Sequence, residues 1–379
     1  MKNRKKRKSK ALKVVIRIAV CLLTALFFVA AFIFSGVGVI NYGPSKTARD
    51  LFVVSMLETS AAKFLATWYF SPQDIDSIVK DNEVVADEGF SDPALIKINP
   101  VTTAAETDIY FPGDTDGQTG TETEKQQQTE EVTYETVAET TEGVTVPNTG
   151  DFVQGDGLEI YDVSGGTYSG KMMIVHDPSR LFVGVCGDYS QNVPGKTLVR
   201  MARSYDATAA INGGGFYDKN GTGDGGIPLG VVITGGKLVW GSLNEKYEII
   251  GFNNDNILVV GTMTAKQALD SGIRDALSFG PVLVMNGIRS SVKGSGSGLN
   301  PRTAIGQRAD GAVLLLVIDG RQPSSLGATY ADLIDIMMEY GAVNAANLDG
   351  GNSTGMYYNG SLVNKGLFPR GLPTCFIVR

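Results

Sequence analysis

The stretch that decides the fold is residues 303–318, TAIGQRADGAVLLLVI, in which two apolar runs flank Asp310-Gly311. An Asp-Gly pair between apolar runs is typical of a tight β-hairpin, because the central residues of that turn adopt positive φ. The same pattern recurs around Gly235-Gly236 in residues 229–239 and around Asn359-Gly360 in residues 357–363. Repeated hairpins predict sheets that are mainly antiparallel.

One helix is expected among these strands. Thr329, followed three residues later by Asp332, is close to a capping box, and Gly341 is a typical residue for the end of a helix. The apolar residues between them follow helical spacing, at Leu333, Ile336, Met337 and Tyr340. Residues 151–379 therefore predict an α+β domain with mixed, mainly antiparallel sheets and few helices.

The N-terminal region has the features of a membrane anchor. Residues 1–17 carry nine basic residues and no acid, and the 23 residues 18–40 carry no charge. At about 1.5 Å per residue, such a helix crosses a hydrocarbon core of roughly 30 Å. The basic flank favours a cytoplasmic tail, so we expect a single-pass cell-membrane protein with an extracytoplasmic main body. A cleaved signal peptide is the alternative, although its apolar core usually has only about 7–15 residues.

Two segments separate this anchor from the sheet domain. Residues 41–100 predict a membrane-proximal helical stalk, with one helix over 47–70 and another beginning at Ser71. The apolar side chains of residues 47–90 suggest self-association. Residues 101–150 contain fourteen threonines, eleven acids and one lysine. Such a composition cannot bury enough apolar area to offset chain entropy, which predicts a disordered Thr/Glu-rich linker.

Composition limits the partners and cofactors. The net charge is −7, and the basic tail leaves −16 on the rest of the chain, which argues against binding to nucleic acid. His176 is the only histidine, and the three cysteines have no metal-binding spacing, so we expect no metal cofactor. The acidic loop at residues 218–224 leaves calcium as an alternative. Cys186 and Cys375 are either a disulfide or two buried thiols.

Four segments place polar residues or glycines directly after apolar runs. They are residues 209–217 (AAINGGGFY), 300–306 (NPRTAIG), 314–321 (LLLVIDGR) and 346–354 (ANLDGGNST). Glycines at such positions let backbone N–H groups approach a ligand closely. Each segment alone is also compatible with an ordinary turn, so their joint occurrence carries the prediction of a functional site.

Three charged residues in these segments are candidates for chemistry. Arg302 enters an otherwise apolar strand, where its planar guanidinium would face either solvent or phosphate oxygens. Asp319 and Asp349 each follow a buried strand. Paired carboxylates can act as acid and base, or as acid and nucleophile, at a glycosidic bond.

Four motifs, in residues 212–216, 278–281 (SFGP), 300–306 and 347–353, resemble the phosphodiester glycosidase family in order and spacing, over roughly residues 160–379. The first motif departs from the family pattern by an extra glycine and by Tyr217, and Asn352 stands where glycine is common. The resemblance implies hydrolysis of a sugar-1-phosphodiester, which frees the sugar and leaves a phosphomonoester on the other group.

The candidate residues fit this chemistry, and we assign each of them a hypothetical role. Arg302 would hold the phosphate, and Asp319 and Asp349 would act as acid, base or nucleophile. Asn212 would help to orient the sugar, and backbone N–H groups of glycines would bind phosphate oxygens. The substrate-binding candidates are Gly213, Gly214, Gly215, Phe216, Thr303, Arg321, Gly350, Gly351, Asn352 and Ser353. The extracytoplasmic location suggests cell-envelope or extracellular glycans, such as exopolysaccharides, as substrates.

Two other functions remain open from the sequence. A non-catalytic module for anionic-glycan binding or exopolysaccharide assembly would keep Arg302 and the glycines but would not need both acids. Alternatively, the helical region 47–90 is the functional part, as an oligomerisation or docking stalk. The presence of both Asp319 and Asp349 favours the enzyme.

Overall fold

The computed structural model describes residues 2–379 apart from residues 60–61, 86–87, 99–152, 156, 190–192, 219–221 and 365–369. The predicted linker over 101–150 lies outside the described residues. The α-helices are α1 Lys2–Tyr42, α2 Lys46–Leu57, α3 Phe64–Thr67, α4 Pro72–Lys80, α5 Leu198–Ser204, α6 Ala265–Asp270 and α7 Tyr330–Glu339. Short 3-10 helices cover Pro93–Leu95, Pro178–Arg180 and Gly351–Ser353.

Twenty strands form four sheets, and every pairing among the described residues is antiparallel. In chain order they are β1 Val84–Val85, β2 Val153–Gly155, β3 Leu158–Ser164, β4 Ser169–Val175, β5 Leu181–Val185, β6 Ala209–Asn212, β7 Val232–Thr234, β8 Lys237–Trp240, β9 Lys246–Asn253, β10 Leu258–Thr264, β11 Ile273–Ser278, β12 Val282–Met285, β13 Ile288–Arg289, β14 Ser291–Val292, β15 Arg302–Arg308, β16 Val313–Ile318, β17 Ala342–Leu348, β18 Met356–Tyr358, β19 Ser361–Leu362 and β20 Thr374–Val378. The sheet orders are β13-β12-β17-β15-β16-β4-β3-β2, β10-β9-β11-β7-β8, β19-β18-β6-β20-β5 and β1-β14.

These sheets confirm the predicted α+β class with mainly antiparallel strands and few helices. β15 pairs with β16 from Arg302 opposite Ile318 to Gln307 opposite Val313, across the Asp310-Gly311 turn. Gly311 adopts φ +92°, which only glycine reaches without strain. The helix predicted at Thr329 is α7, and Thr329 and Asp332 form its capping box.

One apolar core lies between the eight-stranded sheet and the two five-stranded sheets, and includes Met173, Ile250, Leu315 and Phe376. Helices cover the outer faces of the sheets. α7 packs on the eight-stranded sheet, α5 on the sheet of β6 and β20, and α6 on the sheet of β9 to β11. The strand ends that carry the candidate residues are therefore held by packing on both faces of their sheets.

The first helix matches the predicted anchor. Residues Leu12–Tyr42 of α1 are long and apolar enough to cross a membrane. The large apolar side chains of α1 are mostly exposed, as at Leu22, Phe28 and Phe32. A membrane anchor and a signal sequence share these features, so the helix alone does not decide between them.

The short helices that follow α1 contact the sheet domain. Val53 and Val54 of α2 pack with Ala66 and Ile78. The chain then pairs β1 with β14. Where one helix was predicted over 47–70, α2 ends at Leu57 with Glu58 as its C-cap, and the shorter α3 begins at Phe64. The Glu58 side chain bonds to Asn300 of the sheet domain. The helix predicted at Ser71 is α4, which begins with a capping box of Ser71 and Asp74.

Candidate active site

A cavity of about 630 Å³ opens where the ends of β15 and β17 meet the loops after β6 and β16. Volumes of this order are typical of small-molecule sites. Nine of the predicted site residues lie in its wall: Gly215, Phe216, Arg302, Arg321, Asp349, Gly350, Gly351, Asn352 and Ser353. The other lining residues are Glu58, Thr59, Asp218, Leu229, Phe279, Asn300, Tyr330 and Arg370.

Arg302 is held in place at one side of the cavity. Its side chain is 7% exposed, and its guanidinium carbon lies 4.3 Å from the centre of the Tyr330 ring. Nε donates to the carbonyl of Ala328 at 3.1 Å, and Nη2 donates to the carbonyl of Gly298 at 2.8 Å. These contacts fix the orientation of the guanidinium, which lines the cavity.

The carboxylate of Glu58, from the N-terminal segment, binds Arg302 at this side of the cavity, at a position that we call the Arg302 seat. Glu58 Oε2 accepts hydrogen bonds from Arg302 Nη2 at 2.7 Å and from Asn300 Nδ2 at 2.6 Å. Its Oε1 accepts from the backbone N–H of Gly298 at 3.2 Å. Three donors of two kinds, charged and neutral, therefore converge on one anionic group.

A second arginine lies next to this seat. Arg321 Nη2 donates to Asn300 Oδ1 at 2.9 Å and to the backbone carbonyl of Glu58 at 3.3 Å, and Nη1 donates to Asn352 Oδ1 at 3.4 Å. Burial and the charge of Arg302 lower the pKa of Arg321. Two guanidinium groups thus face a single carboxylate, which leaves this side of the cavity with excess positive charge.

Asp349 lies in the cavity wall and has a raised pKa. It follows β17 directly, and its backbone N–H donates to the carbonyl of Gly213 at 3.0 Å. Burial raises the pKa of Asp349 to about 6, and a hydrogen bond with Ser353 and the charge of Arg370 only partly oppose this rise. A carboxyl group with such a pKa exchanges protons near neutral pH, as a general acid or base requires.

The raised pKa of Asp349 predicts a pH-dependent stability. The pKa of Asp349 in the folded state lies above the ordinary value of 3.8, so the folded state binds the proton more tightly than the unfolded state does. This proton binding stabilises the folded state at low pH, and the stabilisation is lost as pH rises through about 6. We expect the Asp349 contribution to the free energy of unfolding to fall by roughly 2 kcal/mol between about pH 4 and pH 7. Urea unfolding in detergent micelles at both pH values would measure this slope. The slope should be smaller in Asp349→Asn, and an equal slope in both proteins would refute the assignment.

Arg370 was not predicted and forms the opposite side of the cavity. Its Nη1 pairs with Asp218 Oδ2 at 2.9 Å, its Nη2 donates to the carbonyl of Gly223 at 2.9 Å, and its guanidinium stacks 4.6 Å from the centre of the Phe216 ring. Burial opposes ionisation of Asp218, but the hydrogen bonds from Arg370 and from the Gly223 N–H, together with the charge of Arg370, outweigh it and lower the pKa of that carboxyl. Asp218 and Gly223 are therefore both bound by the Arg370 guanidinium.

Asn212 and Thr303 lie behind the cavity wall. The Asn212 amide is buried, donates from Nδ2 to the carbonyl of Asp349 at 2.6 Å, and accepts from Thr303 Oγ1 at 2.8 Å and from the Gly355 N–H at 3.0 Å. Asn212 thus positions the backbone of Asp349, whereas the sequence predicted that Asn212 itself contacts the sugar.

The glycine N–H groups are mostly engaged inside the protein. Gly213 donates to the carbonyl of Thr374, Gly214 to Thr374 Oγ1, and Gly351 to the carbonyl of Pro301. These three N–H groups therefore donate to protein acceptors, whereas the sequence predicted that they bind phosphate oxygens. Glycine is required here for close packing, since a Cβ at Gly213 would lie 2.6 Å from Thr374 Oγ1.

Asp319 is not part of the cavity wall. Its Oδ1 accepts a hydrogen bond from Asn364 Nδ2 at 3.2 Å, and its backbone carbonyl accepts from Ser325 Oγ at 2.6 Å. The structure therefore does not bring Asp319 and Asp349 together as a pair lining one cavity. β16 delivers Asp319 to a buried polar cluster behind the site.

The other sequence candidates lie away from this site. His176 pairs with Glu159 at 3.0 Å. Cys186 and Cys375 are free and buried. Among the described residues no group of three or more His, Cys, Asp or Glu side chains is placed to hold a metal ion. The predicted calcium alternative falls partly on residues 219–221, which lie outside the described residues.

Comparisons with known proteins agree with the motifs. Residues 205–379 match the phosphodiester glycosidase family, which confirms the resemblance. An SPbeta prophage-derived uncharacterized protein, YomE, of Bacillus subtilis (strain 168) is 29% identical over 184 residues, which are 45% of this chain and 27% of that protein. The N-acetylglucosamine-1-phosphodiester alpha-N-acetylglucosaminidase of Bos taurus is 27% identical over 186 residues, or 44% of this chain and 34% of the relative.

A solved structure is also similar. It is the catalytic domain of the zebrafish N-acetylglucosamine-1-phosphodiester alpha-N-acetylglucosaminidase, auto-inhibited by pro-peptide, with 23% identity and a TM-score of 0.48. The alignment covers 62% of this chain and 85% of that domain. Against the curated relatives the coverage is smaller, since the chain spans about a third or less of their length.

Proposed function

We propose that this chain, whose residues 205–379 match the phosphodiester glycosidase family, hydrolyses a sugar-1-phosphodiester. The bond between the anomeric carbon and the phosphate oxygen would break. Water would supply the hydroxyl group of the freed sugar, and its second proton would go to the phosphomonoester or to solvent. The enzyme name of the Bos taurus relative supports this class of reaction.

The observation that carries the proposal is the carboxylate of Glu58 in the Arg302 seat. Its oxygens accept from Asn300, Arg302 and the Gly298 N–H, at 2.6, 2.7 and 3.2 Å. The two non-bridging oxygens of a phosphodiester present the same charge and a similar spacing. Charged fork donors and backbone N–H groups are the usual ligands of such oxygens. We propose that the substrate phosphate replaces the Glu58 carboxylate at this position.

Asp349 then acts on the anomeric carbon as a base toward water or as a nucleophile. The leaving group is a phosphomonoester, whose second pKa is about 6, so it departs near neutral pH without a strong acid beside it. One cavity carboxylate is therefore sufficient in this scheme, and Asp319 is not needed for the chemistry. Above about pH 6 Asp349 is ionised and ready to accept a proton.

The sugar would occupy the space between the phosphate seat and the Arg370 side. Phe216 and Phe279 line this part of the cavity with aromatic surface, and Ser353 and Asn352 add polar groups. Small-molecule sites commonly combine such apolar walls with a few polar side chains that fix orientation. A sugar ring, with apolar faces and hydroxyl groups at its edge, fits this lining.

The proposed location is the cell membrane, with α1 as an uncleaved anchor and the catalytic domain outside the cytoplasm. The nine basic residues in residues 1–17 support a cytoplasmic N-terminus. In this topology the substrates are envelope or extracellular glycans. Protease treatment of intact cells should degrade the sheet domain and spare residues 1–17.

The direct test uses the full chain in nanodiscs and a panel of sugar-1-phosphodiesters, with release of free sugar as the readout. Release by the chain, together with an equal amount of phosphomonoester, would support the hydrolase. Binding of these compounds by calorimetry without any release would instead support the alternative, a non-catalytic anionic-glycan-binding or exopolysaccharide-assembly module.

Glu58 provides a separate prediction, because its carboxylate competes with the substrate phosphate. We expect Glu58→Gln to raise kcat/KM by roughly tenfold or more, since a hydrogen bond to a charged group contributes about 1.5–3 kcal/mol. Steady-state kinetics at low substrate concentration would measure the change. Glu83→Gln is the matched control, because Glu83 pairs with Lys293 at 2.7 Å on the same N-terminal segment and does not line the cavity. A fall in activity for Glu58→Gln alone would mean that Glu58 assists the reaction.

A further inference from the structure

A pair of exposed aromatic side chains projects from α3, which lies beside the end of α1. Trp68 is 67% exposed and Phe64 is 43% exposed, and their ring centres are 4.7 Å apart. Lys63, which precedes α3, is also exposed. An exposed pair of large aromatic rings next to a lysine is unusual for a surface that faces only water.

Contacts with α1 fix the position of this pair. Tyr69 Oη donates to the backbone carbonyl of Phe34 at 3.0 Å, and the two rings lie 5.4 Å apart. Tyr42 Oη donates to the carbonyl of Tyr69 at 3.4 Å, and the Tyr42 ring also contacts Phe70. The segment over residues 62–70 therefore lies alongside the last turns of α1, between Phe34 and Tyr42.

This position is at the membrane face of the proposed anchor. Residues 18–37 of α1 carry no charge and supply the roughly 20 residues that cross a hydrocarbon core. The contacts of residues 69 and 70 with α1, from Phe34 to Tyr42, therefore lie around the outer edge of this core. Tryptophan and tyrosine are enriched at this depth because their rings are amphipathic, and lysine is attracted to lipid phosphates.

We propose that residues 62–70 form a second membrane contact, in which Phe64 and Trp68 insert into the interfacial layer of the same bilayer that holds α1. This inference rests on the proposed membrane anchoring and does not depend on the proposed hydrolysis. The bilayer is the favoured occupant because the patch is continuous with α1, whose exposed apolar side chains, such as Phe32 at 81%, require lipid around them.

The second contact limits the class of substrate. Two attachments, α1 and the Phe64–Trp68 pair, hold the sheet domain at a fixed height above the membrane. Glu58 follows α2, which begins four residues after α1 and whose 12 residues extend about 18 Å, so the cavity lies within roughly 30 Å of the membrane end of α1. A sugar-1-phosphodiester carried by a membrane lipid would meet the cavity at this height, so we assign the substrate to that class.

The chain contains only two tryptophans, Trp68 and Trp240, which makes a direct test available. Trp240→Phe leaves Trp68 as the single reporter, and Trp68→Phe leaves Trp240, which is half-buried against Tyr189 in the sheet domain. The full chain would be placed in nanodiscs of phosphatidylcholine and phosphatidylglycerol, with phosphatidylcholine brominated near the headgroup end of its acyl chains. We expect strong quenching of Trp68 and none of Trp240. If Trp68 is not quenched although the chain resists carbonate extraction, the proposed contact is refuted. If Trp68 becomes shielded from solvent only in cross-linked dimers, the patch binds a second copy of the chain instead.

A kinetic arm tests the substrate class. We expect Phe64→Ser/Trp68→Ser to lower hydrolysis of a lipid-carried sugar-1-phosphodiester in the disc by roughly tenfold, since each buried aromatic side chain contributes more than the energy of a tenfold change. Hydrolysis of the same head group on a short, soluble alcohol should be unchanged. Equal effects on both substrates would overturn the assignment. Failure to cleave either substrate would refute the proposed hydrolysis, while the quenching result would still decide the membrane contact.

Discussion

Replacing Asp349 by asparagine is expected to lower kcat by about a hundredfold to ten-thousandfold, the range typical of a lost general acid or base. Asparagine keeps the size of the side chain and can still bond to Ser353, so KM should change little. The measurement is release of free sugar by the full chain in nanodiscs, with wild type and variant at equal protein concentration.

The pH profile of the wild type specifies the role of Asp349. If the carboxylate acts as base or nucleophile, kcat should rise as pH increases through about 6, where the burial-raised pKa of Asp349 places its ionisation. A rate that falls over this range would instead make Asp349 the proton donor. Either result keeps Asp349 in the reaction, whereas an unchanged kcat in Asp349→Asn would remove it.

Two matched variants separate Asp349 from other acids. Asp162→Asn changes a carboxylate on β3 that pairs with Lys171 away from the cavity, and it should leave kcat unchanged. Asp319→Asn tests the carboxylate pair predicted from the sequence, since Asp319 lies behind the cavity wall with Asn364. A loss as large as that of Asp349→Asn, in a variant of unchanged stability, would restore the two-carboxylate mechanism.

Replacing Arg302 by methionine is expected to lower kcat/KM by about a hundredfold to a thousandfold, comparable to the loss of one donor from an anion-stabilising site. Methionine fills similar space and removes the charge and the fork of donors. Arg302→Lys should recover only part of the activity, because an ammonium group cannot bond to two phosphate oxygens in one plane. Steady-state kinetics with a soluble sugar-1-phosphodiester would measure both effects.

Loss of Arg302 also leaves Glu58 without its cationic partner, which could destabilise the protein for reasons unrelated to catalysis. The double variant Arg302→Met/Glu58→Gln removes both charges and serves as the control. Its thermal stability should return toward that of the wild type while its activity stays low. Recovered activity in the double variant would show that Arg302 serves only to neutralise Glu58.

Much of the fold was predictable because it depends on neighbours in the chain. The β15–β16 hairpin follows from Asp310-Gly311 between two apolar runs, and the start of α7 follows from Thr329 and Asp332. Turn geometry and helix capping involve residues only a few positions apart, so local sequence specifies them. The apolar length of α1 belongs to the same category.

The site was predictable in part. Apolar runs indicated where strands end, and Arg302, Asp349 and the Gly350–Ser353 turn do meet at one cavity. Arg370 gave no comparable signal, since it follows residues 365–369 without an apolar run before it. Asp218 was visible only as an acidic loop residue, and its ion pair with Arg370 depends on how two distant loops approach each other.

The sequence by itself determined the anchor-like helix, the hairpins, α7 and the set of polar residues at strand ends, because each depends on contacts between near neighbours. Only the tertiary structure decided which polar residues share a cavity. Asn212 and Asp319 end strands just as Asp349 does, yet the packing of the sheets turns them inward to Asp349 and Asn364. Glu58 reaches Arg302 across 244 residues, a separation over which no local pattern acts, and sheet and helix packing alone brings the two charges together.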